Sequence, residues 1–424
     1  MIKKPRGTTD VFPEEVVYWQ RIESCARKTA AKYGFGEIRL PTLEMTELFQ
    51  RGVGDTTDVV QKEMYTFEDR DGKSLTLRPE GTAGTVRAII ENGRCSDALP
   101  LKLYYILNCF RHEKPQAGRY REFWQFGVEM FGAAGAPADA TVISLANSLL
   151  RTLGVKDITL HINSIGCPKC RPAYHAALKE YFSSKKEILC PTCQGRLETN
   201  PLRILDCKNP ECKELAAAAP KTIDYLCPEC EAHFSSLKRC LDAEGIEYGI
   251  DPMIVRGLDY YTKTVFEFIA PVVGAQSTVC GGGRYDGLMK ELGGPEMPGI
   301  GFGMGINRLI LAMQGSGVTL EPDNRPALYI ASMGEKANET AMGIVEALRK
   351  EGIHAETDLC ARSLKAQMKY ADKLGAAYTL ILGDSELESG TAKLKNMSDS
   401  TQTDVSLSDI AALRSLVTEK EEGN

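Results

Sequence analysis

Apolar residues recur at helical spacing over residues 13–33, where Ile22, Cys25, Ala26, Ala30 and Tyr33 share a face. Pro13 suits the first turn of that helix and Gly34 its C-terminal cap. FGEIRLPTLE, from Phe35, reads as extended, with Pro41 at a strand edge or end. Residues 64–80 predict a hairpin turning at Asp69–Lys73, where Asp71-Gly72 is the strongest signal. A short helix follows from Thr82 to Asn92, closed by Gly93. LKLYYILNCFRHE and REFWQFGVEMF form a strand pair over 101–131, and 138–153 is helical. Strands resume at 253–269 and 276–280, GGGRYDG at 281–287 reads as a flexible loop, and INRLILAMQ from about 306 is a helix. Beyond the Pro/Asp/Asn cluster at 321–326 the pattern alternates. ALYIASM, HAETDL and AYTLILG predict strands. Residues 335–351, 362–374 and 407–418 predict helices, and KLKNMSDSTQTDVSL a last hairpin. That is a small separate α/β domain.

The 424-residue length corresponds to about two to four domains. With 43% hydrophobic and 25% charged residues the chain can bury real cores, which excludes wholesale disorder. No apolar run approaches the ~18 residues of a membrane span. MIKKPRGTTD has no apolar core, so no secretory signal is expected and the cytoplasm is the expected setting. A net charge of −6 argues against a protein that simply coats nucleic acid, but not against a local basic groove. The unusual feature is 14 cysteines, nine of them between Cys167 and Cys240. In the cell interior such clustering favours metal over disulfides.

Three segments carry candidate chemistry. On the 101–131 pair, alternation places Arg111, Glu113, Phe123, Gln125 and Glu129 on the face opposite Trp124, Phe126, Val128 and Met130. One arginine, two carboxylates, an amide and a flat ring suit a ligand with amines, an anion and a planar ring; a solvated outer face fits the same alternation. In VRGLDYYTKTVFEF, Arg256 and Asp259 bracket a Gly-Leu turn before Tyr260 and Tyr261, a pattern that strand entry and tyrosine packing also produce. In GIGFGMGINRL the alternating glycines leave one strand face bare for a flat ligand or for tight packing, and Arg308 follows in a helix's first turn.

In order along the chain, these segments resemble the class II aminoacyl-tRNA synthetases, and within them the histidyl-tRNA synthetases of bacterial type. FGEIRLPTLE is similar to motif 1, FRHEKPQAGRYREFWQFGVEMFG to motif 2 and GIGFGMGINRLILAM to motif 3; RGLDYYTKTVFEF and GGGRYDG look like the two segments peculiar to the histidine enzyme. LRPEGT lies at 77–82, between motifs 1 and 2. The resemblance implies an α+β fold. An antiparallel sheet flanked by helices would be built from 1–165 and 241–322, interrupted by a small cysteine-rich helical insertion at 166–240. A C-terminal α/β anticodon-binding domain would follow at 326–424.

It also implies a homodimer and an ATP-dependent, Mg2+-assisted attachment of L-histidine to its tRNA through histidyl-adenylate. By resemblance Arg111 holds the α-phosphate, Glu113 reads the adenine amine, Phe123 stacks under the purine and Arg308 holds the γ-phosphate. Arg256 is the main catalytic side chain, near the α-phosphate. Glu80, Thr82 and Gln125 are placed for the α-ammonium of histidine, Glu129 and Tyr261 for the imidazole, Tyr260 and Tyr285 line the pocket, and Gly81 and Arg256 are further histidine-binding candidates. In the basic loop 114–121, Gln116, Gly118 and Arg119 are candidates for reading the extra 5′ guanosine of the histidine tRNA. Arg362, Lys365, Lys369 and Lys373 fall on one helix face of the tail domain, and the resemblance makes them tRNA contacts rather than a solvated face.

The chain departs from the family pattern in two places. Motif 3 carries Asn307 where an acidic residue is usual. The insertion contains CPKC (Cys167, Cys170), CPTC (Cys190, Cys193), CKNPEC (Cys207, Cys212) and CPEC (Cys227, Cys230). Eight thiolates would fill two four-cysteine zinc sites, with His233 and Cys240 as spare ligands and free thiols as the competing reading. Zinc there is expected to be structural and remote from the reaction, with its cysteine pairing open.

Three rival readings compete with this one. A silent paralogue like the regulatory subunit of ATP phosphoribosyltransferase would lack residues 326–424 and often the three arginines, all of which are present. A synthetase for another amino acid conflicts with RGLDYY and Glu129, and a zinc-ribbon nucleic-acid-binding protein leaves the ordered motifs outside the insertion unexplained.

Overall fold

The computed structural model describes residues 1–54, 57–322 and 324–418, with the side chains of 275 and 276 excepted. Residues 419–424 of the expected tail domain therefore lie outside the described residues. The chain forms two compact units, Met1–Leu320 and Glu321–Asn424.

The first unit is organised by an eight-stranded sheet. Its order is Gly36–Glu37, Leu101–Phe110, Glu122–Phe131, Gly299–Gly305, Thr278–Arg284, Thr262–Ile269, Thr159–Ser164 and Gly249–Ile250. The two short edge strands pair in parallel and the six between them are antiparallel. The register of the central hairpin sets Cys109 opposite Phe123, Leu107 opposite Gln125 and Leu103 opposite Glu129. One face packs Phe126, Val128, Met130, Phe266, Phe268 and Phe302 against the helices Pro13–Lys32, Ala136–Thr152 and Ile306–Gly315. Trp19 of the first helix meets Trp124 edge-to-face at 6.1 Å. The motif-1 region is mostly irregular. Only Gly36–Glu37 joins the large sheet, while Leu43–Met45 joins a three-stranded sheet with the hairpin Tyr65–Glu68 and Ser74–Leu77.

Two local expectations are corrected. Residues 253–261 do not extend the strand that begins at Thr262. Gly257 and the Arg256–Asp259 turn divert the chain, and Val255 and Met253 pack into the insertion instead. Nor is GGGRYDG a flexible loop, because Gly281–Arg284 is central strand. A Cβ on Gly282 would lie 2.6 Å from Phe302 Cβ and 2.8 Å from the Phe266 ring, so these glycines permit close packing. Arg284 is wholly buried and paired with the equally buried Asp139, which also accepts from Thr264 at 2.6 Å and His233 Nε2 at 2.8 Å.

The insertion is helical, with Arg171–Ser183, Pro191–Thr199, Pro210–Ala217 and Pro228–Ala243. Its own core is built on Tyr174, Leu178, Phe182, Leu197 and Ile204. The C-P-x-C spacing explains how cysteines and helices are tied. In CPTC and CPEC the first cysteine is the N-cap, proline takes the first helical position, and the second cysteine lands in the first turn. In CKNPEC the Asn209 side chain caps the helix that carries Cys212.

The second unit is a five-stranded sheet in the order Ala355–Thr357, Leu328–Ser332, Tyr378–Leu382, Thr391–Asn396 and Gln402–Ser406. Its first three strands are parallel, as the alternating β and α segments predicted.

Candidate active site

The face of the large sheet opposite its helical core forms the floor of a cavity. Arg111, Glu113, Phe123 and Gln125 rise from the hairpin, Gly301 and Gly303 leave backbone bare, and residues 256–261 close one side. The sheet thus brings together side chains that lie far apart in sequence.

One end of the cavity is rich in guanidinium. Arg111 lies 5.4 Å over the Phe123 ring and donates from Nε to the Pro79 carbonyl at 2.9 Å. Arg308 donates to the Thr278 carbonyl at 2.8 Å and the Gly118 carbonyl at 3.1 Å. Arg119 is paired with Glu113, and Arg256 with Glu267. Arg256 lies flat against Gly281, where a Cβ would collide with its guanidinium. Burial lowers the Arg308 pKa, and the neighbouring Arg119, Arg111 and Arg256 lower it further. An excess of positive charge in a half-buried site suits an anion.

The other end is lined by hydroxyls. Glu80 is 4% exposed and accepts from the N–H groups of Thr82 at 2.6 Å and Ala83 at 2.8 Å. Thr82, Tyr260, Tyr261 and Tyr285 line the cavity beside it. Glu129 does not line the cavity. It is fully buried one layer behind, where Oε1 accepts from Thr82 at 2.7 Å and Tyr105 at 3.1 Å, and Oε2 accepts from Tyr285. Burial pushes its carboxyl up to about 8 against the three hydroxyl hydrogen bonds, and the nearby Glu80 adds to the rise. Burial likewise pushes the Cys109 thiol, which donates to the Gln125 side-chain oxygen from beneath the cavity lining, up to about 12.

The remaining sequence candidates are placed less centrally. Gly81 lies under the Tyr105 ring, which leaves no room for a side chain. Gly118 and Arg119 line the cavity, whereas Gln116 points to solvent and pairs only through backbone with Arg119. Asn307, in place of an acid, accepts from the Trp124 N–H at 3.2 Å. In the second unit Lys365, Lys369 and Lys373 are exposed along Leu364–Leu374, and Arg362 pairs with Asp358.

Sequence reasoning missed Glu267, which holds Arg256 and accepts from Thr278 at 2.9 Å. As the one charged residue in the apolar run TVFEFI it carried a signal. It also missed Arg78, whose guanidinium is spent on the Leu40, Pro41 and Asn108 carbonyls at 2.7–2.9 Å and ties LRPEGT to motif 1.

The eight insertion cysteines sort into two sets, Cys167, Cys170, Cys227 and Cys230, and Cys190, Cys193, Cys207 and Cys212. Within each set the sulfurs lie within 4.8 Å of one another. Cys167–Cys170 at 3.7 Å, Cys167–Cys227 at 3.9 Å and Cys190–Cys207 at 3.8 Å are far longer than a disulfide. They match the roughly 3.8 Å edge of a tetrahedron with metal–sulfur bonds of about 2.3 Å. The sets are nested along the chain, the second lying between the halves of the first. No cysteine of either set lines the cavity, while Arg171 and Arg203 near them reach the 257–261 segment.

Comparison with known proteins gives a consistent picture. A family model described as "Histidyl-tRNA synthetase" matches residues 7–174 and 202–309, and one described as "Anticodon binding domain" matches 327–414. The histidine–tRNA ligase of Acetivibrio thermocellus is 54% identical over 407 residues, covering 96% of this chain and 98% of that one. That of Clostridium perfringens is 53% identical, covering 96% and 97%. The crystal structure of apo histidyl-tRNA synthetase from S. aureus superposes with a TM-score of 0.82 at 39% identity, covering 97% of this chain and 99% of that one. A Bacillus halodurans structure titled as an ATP phosphoribosyltransferase regulatory subunit/histidyl-tRNA synthetase shares the fold at 23% identity and a TM-score of 0.64, covering 87% and 96%.

Proposed function

Because the chain belongs to the histidyl-tRNA synthetase family, we propose that the cavity on its large sheet is where L-histidine and ATP react. The overall reaction is the ATP-dependent attachment of histidine to tRNA. A histidine carboxylate oxygen attacks the α-phosphorus, the bond to the bridging oxygen breaks, and pyrophosphate leaves. The adenylate then passes its histidyl group to the terminal ribose of tRNA.

The observation that carries this reading is the division of one cavity into a guanidinium end and a hydroxyl end. Arg111, Arg256 and Arg308 suit a triphosphate, and preorganised charge there is worth most where it develops in the transition state. Phe123 and Glu113 suit the adenine ring and its amine. Glu80, Thr82 and Gln125 suit an ammonium group. The imidazole lies against Tyr260, Tyr261 and Tyr285, with the Glu129 carboxyl behind that wall to balance a proton on the ring.

ATP enters with Mg2+, which draws most of its ligands from phosphate and water. Glu267, whose oxygens are engaged by Arg256 and Thr278, would be the carboxylate to hold that ion. Zinc occupies the two cysteine sets as a structural metal, supported by their tetrahedral spacing.

The tRNA meets Gly118 and Arg119 at the cavity mouth, and Lys365, Lys369 and Lys373 on the second unit. Two chains pair through the motif-1 region, where Leu43, Met45 and Phe67 are 44–48% exposed on the small sheet. No helix among the described residues is long and apolar enough to cross a membrane. The cytoplasmic setting rests instead on the proposed work on tRNA.

The regulatory-subunit reading is disfavoured by a second unit that matches the anticodon model and by three arginines on one cavity. Histidine-dependent exchange between pyrophosphate and ATP is the test. Exchange with histidine and not with other amino acids is expected; its absence would overturn the reading.

A further inference from the structure

The Arg256–Tyr261 segment is a single layer of chain between two cavities. Arg256, Leu258 and Tyr261 border the ligand cavity on one side and a smaller one, walled by the insertion, on the other. The segment is irregular, so no ladder of strand hydrogen bonds sets its position. What holds it comes largely from the insertion. Arg203 donates to Asp259 Oδ1 at 2.8 Å from Nη2 and to the Gly257 carbonyl at 2.9 Å. Asn200 donates to the same carboxylate at 3.2 Å. Arg171 donates to the Tyr261 carbonyl, and Lys263 pairs with Glu229 at 3.4 Å.

These grips share an origin. Asn200 and Arg203 lie in the short stretch between Cys193 and Cys207, so one cysteine set closes the base of the loop that carries them. Arg171 follows Cys170 directly, and Glu229 lies between Cys227 and Cys230 of the other set.

We propose that the two four-cysteine sets, each holding one zinc ion, are the fasteners of a clamp that positions the Arg256–Tyr261 wall, with Arg203 as its principal positioning residue. Zinc fixes the base of each grip, Arg203 transmits that to Gly257 and Asp259, and the neighbouring Arg256, Tyr260 and Tyr261 take their places against the ligands. Metal occupancy thereby sets histidine affinity although no cysteine of either set lines the ligand cavity. This rests on the assignment of that cavity to histidine and ATP.

The test uses the full-length protein purified without chelator. Zinc per chain is measured by elemental analysis, and KM for histidine and for ATP by pyrophosphate exchange. The parent is expected to hold two zinc ions. Arg203→Ala should keep both, raise the histidine KM at least about tenfold, and raise the ATP KM several-fold less, since of the triphosphate contacts only Arg256 lies on the clamped wall. Arg203→Lys, which keeps the charge but not the fork, should recover part of the loss. Cys207→Ser should lose one zinc and show the same selective defect, and adding Arg203→Ala to it should worsen it little, since both break one grip.

A general loss of folded protein would lower kcat and leave both KM values alone. An Arg203→Ala variant with two zinc ions and an unchanged histidine KM overturns the clamp, as does a parent without zinc. Additive losses in the double variant overturn the route through the cysteines. No histidine-dependent exchange by the parent would instead sink the functional reading beneath it.

Discussion

Replacing Glu129 by glutamine should make the first unit more stable, and more so as pH rises. The Glu129 carboxyl is fully buried, and burial pushes it from 4.5 up to about 8. Between those values the native protein holds a proton that the unfolded chain has released. Stability therefore falls by about 1.4 kcal/mol per pH unit across this window and levels off above it. The whole window amounts to about 5 kcal/mol at most, relaxation of the hydroxyl shell making it less. Glutamine is nearly isosteric and cannot ionise. Its oxygen can accept from Thr82 and Tyr105, and its amide can donate to the Tyr285 oxygen.

The gap between Glu129→Gln and the parent should thus be small near pH 5.5 and widen to several kcal/mol by pH 8.5. At a urea dependence of about 3 kcal/mol per molar, 4 kcal/mol displaces the midpoint by about 1.3 M. Trp19 and Trp124, the only two tryptophans, both lie in the first unit, so their fluorescence isolates its unfolding. Glu80, whose carboxyl burial also raises, titrates in both proteins and largely cancels. A gap that is constant with pH, or that narrows as pH rises, would refute the reasoning. Histidine should stabilise the parent more than the variant at pH 8.5, because an imidazolium against that wall restores the balance of charge.

Arg256→Ala should slow adenylate formation by roughly 10²–10³-fold while weakening histidine binding far less, by single-turnover kinetics against equilibrium titration; equal losses would assign the residue to ground-state binding. Asp139→Asn should cost about 3 kcal/mol by urea unfolding, since it leaves the buried Arg284 with only the part-exposed Asp286 as counter-charge. The hydrogen bond from His233 and the Arg284 charge hold the Asp139 carboxyl below its usual value against the opposing effect of burial. Its contribution is therefore present above pH 3.8 and is lost as pH falls through the lower native value, so the variant's deficit should shrink in acid.

The central hairpin is legible in the sequence because one sheet face is buried, and alternation alone then fixes which of Phe123, Trp124, Gln125 and Phe126 look into the cavity. The second unit is legible for a related reason, its short apolar runs alternating with amphipathic ones. Residues 253–261 read as strand because Ile254, Val255, Tyr260 and Tyr261 have strand composition; the turn at Gly257 bends them, and Arg203, more than fifty residues earlier, holds that turn through contacts no local pattern records. Arg284 reads as a loop residue because its partner, Asp139, lies in a helix of the other half of the sheet. The face of Glu129 is evident from alternation, but not its depth behind three hydroxyls, which depends on Tyr105, Tyr285 and Thr82 converging from three segments. The cysteine spacing marks candidate metal ligands, while the nested grouping depends on the helices that bring Cys227 back to Cys167.

The strand order of the large sheet bears on how the chain is made. Glu122–Phe131 hydrogen-bonds on one side to Leu101–Phe110, which precedes it, and on the other to Gly299–Gly305, which follows about 170 residues later. At about 5–20 residues per second, the ribosome delivers that partner roughly ten to thirty seconds after the hairpin has emerged. For that interval Glu122–Phe131 is an open edge, and such edges recruit wrong partners. The insertion is synthesised within the same interval, with eight thiols free to react. Early capture of the proposed zinc would close it as a finished module before the sheet completes, and metal supply during translation would then bear on yield as well as on the mature enzyme.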